Sequence, residues 1–472
     1  MTITPTPAES IAGSIAESIA DLRRAVTGDV LVAGDDGYEQ HSQGFNLALV
    51  QRPAVVVVAA DTEDVARAVR FAADHELPLA VQATGHGTAR VADGALLLVT
   101  SRLTGVQIDP QARTARIEAG AKFAAVLPAA QEHGLTPLLG STTDVGAVGY
   151  TLGGGFGWLG RRYGLCSDSA RSFELVTATG EVLVACAEEN PEVFWALKGG
   201  GAGALGVVTS MVLELYPVTE VYAGNLLYPA FMARDVLRRY RDWVDGADER
   251  LTSSVVLMNF PPIDDVPEPL RGQSFVMVRG CWSGDLEEGA ALVDEWRAWR
   301  PPVMDLFGPL PFSAADSISQ DPVDPLPAMV TTECFDTLSD AAIDVLVQAA
   351  VPPPGRAPLL VFAEVRQMGG AVRAGAAQAA NDLARQAEFV LEMVGMPVNA
   401  HVGLALEAHL RHTRAALAPH VTGATYLNFT EGQEKQERTA SAFSAAHLAR
   451  LQAVKAALDP HDRFSHGLYL RG

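Results

Sequence analysis

The sequence predicts an α+β protein of two or three domains. Three observations carry this: strand and helix patterns alternate near the N-terminus, glycine concentrates in a few loops, and alanine-rich stretches interleave with apolar strands in the second half. Ser10 to Val26 spaces alanine and isoleucine as one amphipathic helix. The apolar run AVVVVAA, ending at Ala60, reads as a buried strand. Asp61 follows as an N-cap with Asp64 three residues on, and Val65, Ala68, Val69 and Ala72 share one face of the next helix. A strand from Leu77 to Ala83 completes a βαβ-type unit. Further strands are expected at 95–100 and 114–120, a helix from Lys122 to His133, and a hairpin through SFELVTATGEVLVACA turning at Thr179-Gly180. Beyond Pro217, SSVVLMNF, QSFVMVRGCW and PLLVFAEVRQM read as strands, while ALVDEWRAWR and AAQAANDLARQAEFVLEMV read as helices covering one face of their sheet.

Composition narrows the function classes. The 472 residues are 48% hydrophobic and carry 35 Lys+Arg against 56 Asp+Glu, a net charge of -21 that repels phosphate backbones and anionic lipid. Neither nucleic acid nor a membrane surface is expected as a partner. The N-terminus has no basic region before Arg23, and no apolar run approaches the roughly 18 residues of a membrane helix, so a cytoplasmic location is the expectation. Cys166, Cys186, Cys281 and Cys334 form no CxxC pair and lack histidines at ligand spacing, so they read as buried hydrophobes and no metal site is expected.

Glycine-rich stretches at 85–87, 140–164 and 199–206 share one requirement, close approach of backbone to something large and anionic. A dinucleotide meets it. The nicotinamide fingerprint would place G-x-G-x-x-G directly after the first strand, but DTEDVA stands there, which argues against a Rossmann site.

In order and spacing, QATGHGTA (82–89), VGAVGYTLGGGFGWLGRRYGLCSD (145–168), FWALKGGGAGALGVVT (194–209), YLNF (426–429) and DPHDRF (459–464) resemble the berberine bridge enzyme-like flavoproteins. That family belongs to the vanillyl-alcohol oxidase, or p-cresol methylhydroxylase, superfamily. The resemblance implies an FAD-binding domain of two α+β subdomains over 50–217, after an N-terminal helix and lead-in over 1–49. A substrate domain with an antiparallel sheet covered by helices would occupy 218–425, and 426–472 would return to the FAD-binding domain. It further implies that Ala83, Thr84, Gly85, His86, Gly87 and Thr88 cradle the pyrophosphate, with His86 joined covalently to the flavin. Gly146, Gly149, Gly153, Gly154, Gly155 and Gly157 would line the flavin, Tyr163, Gly164 and Asp168 would complete that signature, Gly206, Val207 and Val208 would lie near the adenosine, and Asn428 would reach the ring. Where relatives add a cysteinyl tether this chain has Thr142, so a single link is expected. Val145 falls where relatives control oxygen access, and valine there resembles an oxidase.

Hydride loss from an alcohol or amine carbon is assisted by a base. Tyr426 is the first candidate: as part of a strand it would share a face with Asn428, but its phenol needs a nearby cation to lower its pKa from about 10. Relatives carry a glutamate before a His-Arg pair, where this chain has alanine and Ala384-Arg385. Glu364 and His401 are the substitutes. The expected function is oxidation of a small alcohol, amine or secondary metabolite with O2 as acceptor. A dehydrogenase with another acceptor, or a cyclase or isomerase without net redox, stand as alternatives.

Overall fold

The computed structural model describes residues 7–353 and 355–470 and builds them around three sheets. The first contains β1 (Asp29–Leu31), β2 (Val55–Val58), β3 (Leu79–Gln82) and β4 (Leu96–Val99) in the order β1-β2-β4-β3. Strands β2 and β3 are joined through helix Thr62–Asp74, and Asp61 caps it by accepting from the Asp64 amide at 2.9 Å. The expected βαβ unit is present with one change: β4 inserts between its two strands and runs parallel to both. All four residues of β2 and of β4 are buried, as befits a sheet covered on both faces.

The second sheet is antiparallel. It contains β5 (Val106–Asp109), β6 (Thr114–Glu118), β7 (Ala170–Val176), β8 (Val182–Cys186) and β9 (Val207–Glu214) in the order β5-β6-β9-β7-β8. Strands β7 and β8 form the expected hairpin, with Gly180 at φ 78° in its turn.

The third sheet is also antiparallel. Its strands are β10 (Glu220–Pro229), β11 (Leu251–Asn259), β12 (Ser274–Trp282), β13 (Met304–Asp305), β14 (Gly308–Pro311), β15 (Met329–Phe335), β16 (Leu360–Gln367) and β17 (Phe389–Gly395). They run β13-β10-β12-β11-β16-β17-β15, with β14 also on β10. Alternation decides what each face meets. Leu226, Val278, Val365 and Leu391 pack under helices Ala233–Val244, Leu286–Trp299, Asp340–Ala350 and Ala400–Leu417. Their neighbours Leu227, Arg279, Glu364, Arg366 and Glu392 point the other way, into a cavity.

Three expected elements differ. The N-terminal helix is two, Pro7–Ser14 and Ala16–Ala25, broken at Ile15. YLNF is a short 3-10 turn at Leu427–Phe429 rather than a strand. The alanine-rich stretch from 376 is not one helix, because only Leu383–Gln386 winds as α-helix and Phe389–Gly395 extends as β17 between β16 and β15. Alanine favours helix by under 1 kcal/mol per residue, and pairing with two flanking strands overrides it.

Arg385, in that short helix, is fully buried and bonds Asp168 through Nη1 at 2.7 Å and Nη2 at 2.9 Å. The pair ties the loop before β7 to the third sheet. Arg385→Ala would strand the carboxylate, and a loss of about 3–5 kcal/mol is expected in urea unfolding. A change under about 1 kcal/mol would show that the pair is dispensable.

Candidate active site

One cavity of about 1040 Å3 runs between the inner face of the third sheet and the loops of the first two. The turn after β3 supplies its first wall. Gly85 and Gly87 take φ 78° and 64°, and a Cβ on Gly85 would lie 2.3 Å from the Gly44 Cα. Between them His86 stacks on Phe45, ring centroids 3.8 Å apart, with its Nδ1 2.9 Å from Thr84 Oγ1. Burial lowers the His86 pKa to about 4 against the pull of Asp144, so the imidazole is neutral at physiological pH.

The C-terminal segment grips this turn. Glu431 Oε1 accepts from the Gly87 amide at 2.8 Å, Lys435 Nζ donates to the Gly87 carbonyl at 2.8 Å, and the Gly432 amide donates to the Thr88 carbonyl at 2.7 Å. Burial brings Lys435 down to about 8 and raises Glu431.

Of the residues singled out in the sequence, Ala83 to Thr88, Thr142, Val145, Gly146, Gly149, Gly153, Gly206, Val208 and Asn428 line the cavity. Gly154, Gly155, Gly157, Tyr163, Gly164, Asp168 and Val207 do not; they stand behind its wall for packing reasons. A Cβ on Gly155 would lie 2.4 Å from the Tyr150 ring, on Gly157 1.7 Å from the Leu139 carbonyl, and on Gly164 2.6 Å from Asp168 Oδ2. Asp168 serves Arg385, Tyr163 stacks near Tyr216, and Val207 sits in the first-sheet core. Cys166 is buried against Thr151, its thiol pushed up to about 12, in keeping with a structural part.

The base candidates separate. Tyr426 lines the cavity, but burial raises its phenol far above the usual value and outweighs the pull of Arg366, so it stays protonated. Glu364 is buried in the cavity wall. Burial opposes its charge, yet Arg366 at 2.7 Å, Arg279 at 3.5 Å and the Ser254 hydroxyl at 2.6 Å hold its pKa below the usual value. A carboxylate so satisfied is a weak base. His401 lies exposed near the start of helix Ala400–Leu417, outside the cavity.

Glu392 was missed in the sequence. It lies directly across from Glu364 in the β16–β17 pair and lines the cavity. Burial pushes its pKa up to about 8, Glu364, Asp321 and Glu431 add to the rise, and Arg366 at 3.8 Å opposes it. Its signal was a lone acid in the apolar run FVLEMV, hidden once that run is read as helix.

Residues 53–185 match an FAD binding domain, and residues 425–468 match the family described as berberine and berberine like. The chain is thus in the class of FAD-linked oxidoreductases. Within that class, its C-terminal residues 425–468 carry the berberine-like domain. (R)-6-hydroxynicotine oxidase of Paenarthrobacter nicotinovorans is 34% identical over 207 residues, 43% of this chain and 45% of that protein. An uncharacterized FAD-linked oxidoreductase of Bacillus subtilis is 25% identical over 451 residues, 93% of this chain and 97% of that one. The aligned stretch spans about half the length of several curated relatives, 52% and 45% for two of them. The solved structure of BBE-like 1 from Physcomitrella patens shares the fold, with a TM-score of 0.81 at 18% identity over 94% of this chain and 97% of that one. Among the described residues no helix is long and apolar enough to cross a membrane, and no cluster of three or more His, Cys, Asp or Glu is arranged to hold a metal ion.

The cavity fits FAD. Gly149 lines it, and a Cβ there would meet nothing within 4 Å, so the glycine leaves space at the wall. The hydroxyls of Tyr150 and Tyr426 and Oδ1 of Asn428 are buried at the cavity without a hydrogen-bond partner, a set suited to a polar heteroaromatic ring. Gly149→Leu should therefore cut the flavin content of the purified protein by more than half. Its unfolding free energy without flavin should change by under about 1 kcal/mol, since leucine favours the helix; full flavin occupancy would show that Gly149 faces no cofactor.

Proposed function

We propose that this chain is an FAD-dependent oxidase that oxidises an alcohol or amine, with Glu392 as the base and the flavin tethered once, through His86. The carrying observation is Glu392 itself: a carboxyl near pKa 8, in the same cavity wall as the protonated Tyr426 and the half-paired Asn428. When bound, FAD supplies a hydride acceptor. Glu392 takes the O–H or N–H proton as the adjacent C–H leaves with its electron pair, forming C=O or C=N. Molecular oxygen then receives the two electrons and two protons as hydrogen peroxide. A base with pKa close to the working pH combines availability with driving force. Tyr426, which keeps its proton, would donate a hydrogen bond to the substrate heteroatom, and Asn428, whose Nδ2 is held by the Tyr150 carbonyl at 3.1 Å, would leave Oδ1 as an acceptor for the flavin.

Support for the tether is geometric. His86 is neutral and so keeps a nucleophilic nitrogen, Phe45 and Thr84 fix its ring, and Glu431 with Lys435 hold the turn that carries it. Thr142 lines the cavity with a hydroxyl in place of a thiol, which limits the chain to one link. Val145, also at the wall, is a compact side chain beside the expected flavin position and supports oxygen as acceptor. The nicotine oxidase relative supports the oxidase reading. In this reading 50–217 with 426–472 hold the cofactor and 218–425 hold the substrate.

Two experiments test these roles. Anaerobic flavin reduction should rise with pH through about 8, because the ionised Glu392 is active and protonation removes it below that point. Glu392→Gln should lose this limb and about 10^2–10^4-fold in rate. A profile flat from about pH 6 to 9 in the wild type removes Glu392 as base, and reoxidation in air that takes many minutes removes the oxidase. On a denaturing gel the wild-type band should fluoresce and His86→Ala should be dark. Lys435→Met should keep its total flavin but lose much of the fluorescent fraction; flavin that washes away from the denatured wild type removes the tether.

A further inference from the structure

The side of the cavity formed by the third sheet is graded in polarity from one end to the other. Leu227, Met258, Phe260, Met277, Met304 and Phe362 make a wall without a hydrogen-bonding side chain, apart from the weakly accepting thioethers. Beyond it, Ile263, Leu306 and Val323 line the cavity while remaining 51%, 49% and 58% exposed. Large apolar side chains gathered in water at one rim mark a place where apolar surface is to be covered. Toward Glu364 and Glu392 the lining turns polar: these two acids and Asp321 stand with Arg279 and Arg366, while the exposed Asp265 and Asp324 add carboxylates at the rim beside Ile263 and Val323. At the Glu392 end three acids thus stand with two arginines, and Glu392 itself is left to titrate near 8. The Tyr426 hydroxyl, in a residue 1% exposed, is unpartnered at the cavity.

We propose that the substrate is an extended lipophilic amine, its nitrogen at the Glu392 end and its apolar body lying along the methionine- and phenylalanine-lined wall to the exposed rim. This rests on the oxidase reading above and specifies its substrate class. Carboxylates at the Glu392 end and at the rim attract a cation and repel a carboxylate or phosphate. A sugar along the same wall would bury hydroxyls against thioether and aryl groups, at roughly tenfold in affinity for each one left unpaired. Methionine suits the role because its flexible thioether moulds to apolar bodies of varied shape.

The test measures binding to the flavin-loaded protein by perturbation of the flavin absorbance, without oxygen. The probes are butylamine, hexylamine, octylamine and decylamine, with octanoate and xylobiose as comparisons. Kd should fall about fourfold per added methylene, the equivalent of about 0.8 kcal/mol, until the chain passes the rim. Octanoate and xylobiose should bind at least about tenfold more weakly than octylamine. Phe362→Asn should flatten the series. Ile263→Asp, at an exposed position that folding tolerates, should weaken decylamine while sparing butylamine. A Kd independent of chain length, or tighter binding of octanoate or xylobiose than octylamine, overturns the proposal. Amines that follow the series yet never bleach the flavin would overturn the oxidase reading and leave the binding inference in place.

Discussion

The forked contact between Arg385 and Asp168 is the constraint on which the shape of the cavity depends. A guanidinium with no exposed surface has to spend every donor. Arg385 gives two to Asp168, one to the Ser167 hydroxyl at 3.1 Å, one to the Val372 carbonyl at 3.4 Å, and its Nε to Asn381 Oδ1 at 3.1 Å. Asn381 passes the constraint on by donating to the Gly153 carbonyl at 3.3 Å, on the cavity wall. The chain there must come so close that a Cβ on Gly154 would lie 2.6 Å from Asn381 Nδ2, and one on Gly153 2.2 Å from Asn428 Oδ1. Glycines that resemble a cofactor signature thus divide into two groups. Some leave space at the cavity, and others let an arginine-centred network approach the backbone behind it.

A second consequence concerns charge. The register of β16 on β17 sets Glu364 directly opposite Glu392, and two carboxylates so placed cannot both ionise cheaply. Arg366 resolves the conflict unequally: it lies 2.7 Å from Glu364 and 3.8 Å from Glu392. Arg279 and Ser254 add to the advantage of Glu364. One carboxyl is held as an ion and its neighbour is left to titrate near neutrality. An antiparallel register and one arginine rotamer therefore produce a titratable group where the sheet faces the cavity.

The C-terminal segment closes the structure at both ends of its length. Asp459, in DPHDRF, accepts from the Arg463 and Phe464 amides at 2.9 Å each and pairs with Lys455 at 2.6 Å. Phe464 lies in the first-sheet core, and the Arg463 carbonyl accepts from the Leu79 amide at 2.8 Å. Earlier in the same segment, Glu431 and Lys435 hold the His86 turn. Residues more than 340 positions away thus help to complete the turn that bears the histidine.

The sequence by itself determined the α+β class, most strands of the first two sheets, the His86 turn and the glycine blocks, because hydrophobic period, capping and positive-φ glycines are local properties. It also carried the likeness to flavoproteins, since loops that approach a dinucleotide constrain residue type over a few neighbouring positions. Only the tertiary structure decided that FVLEMV is a strand, that Glu392 faces Glu364, that Tyr426 keeps its proton and that His401 lies on the surface. Each of these depends on a partner distant in sequence: a flanking strand, a desolvating wall or an arginine across the sheet. Burial and through-space charge set protonation, and neither is written in the spacing of residues along the chain.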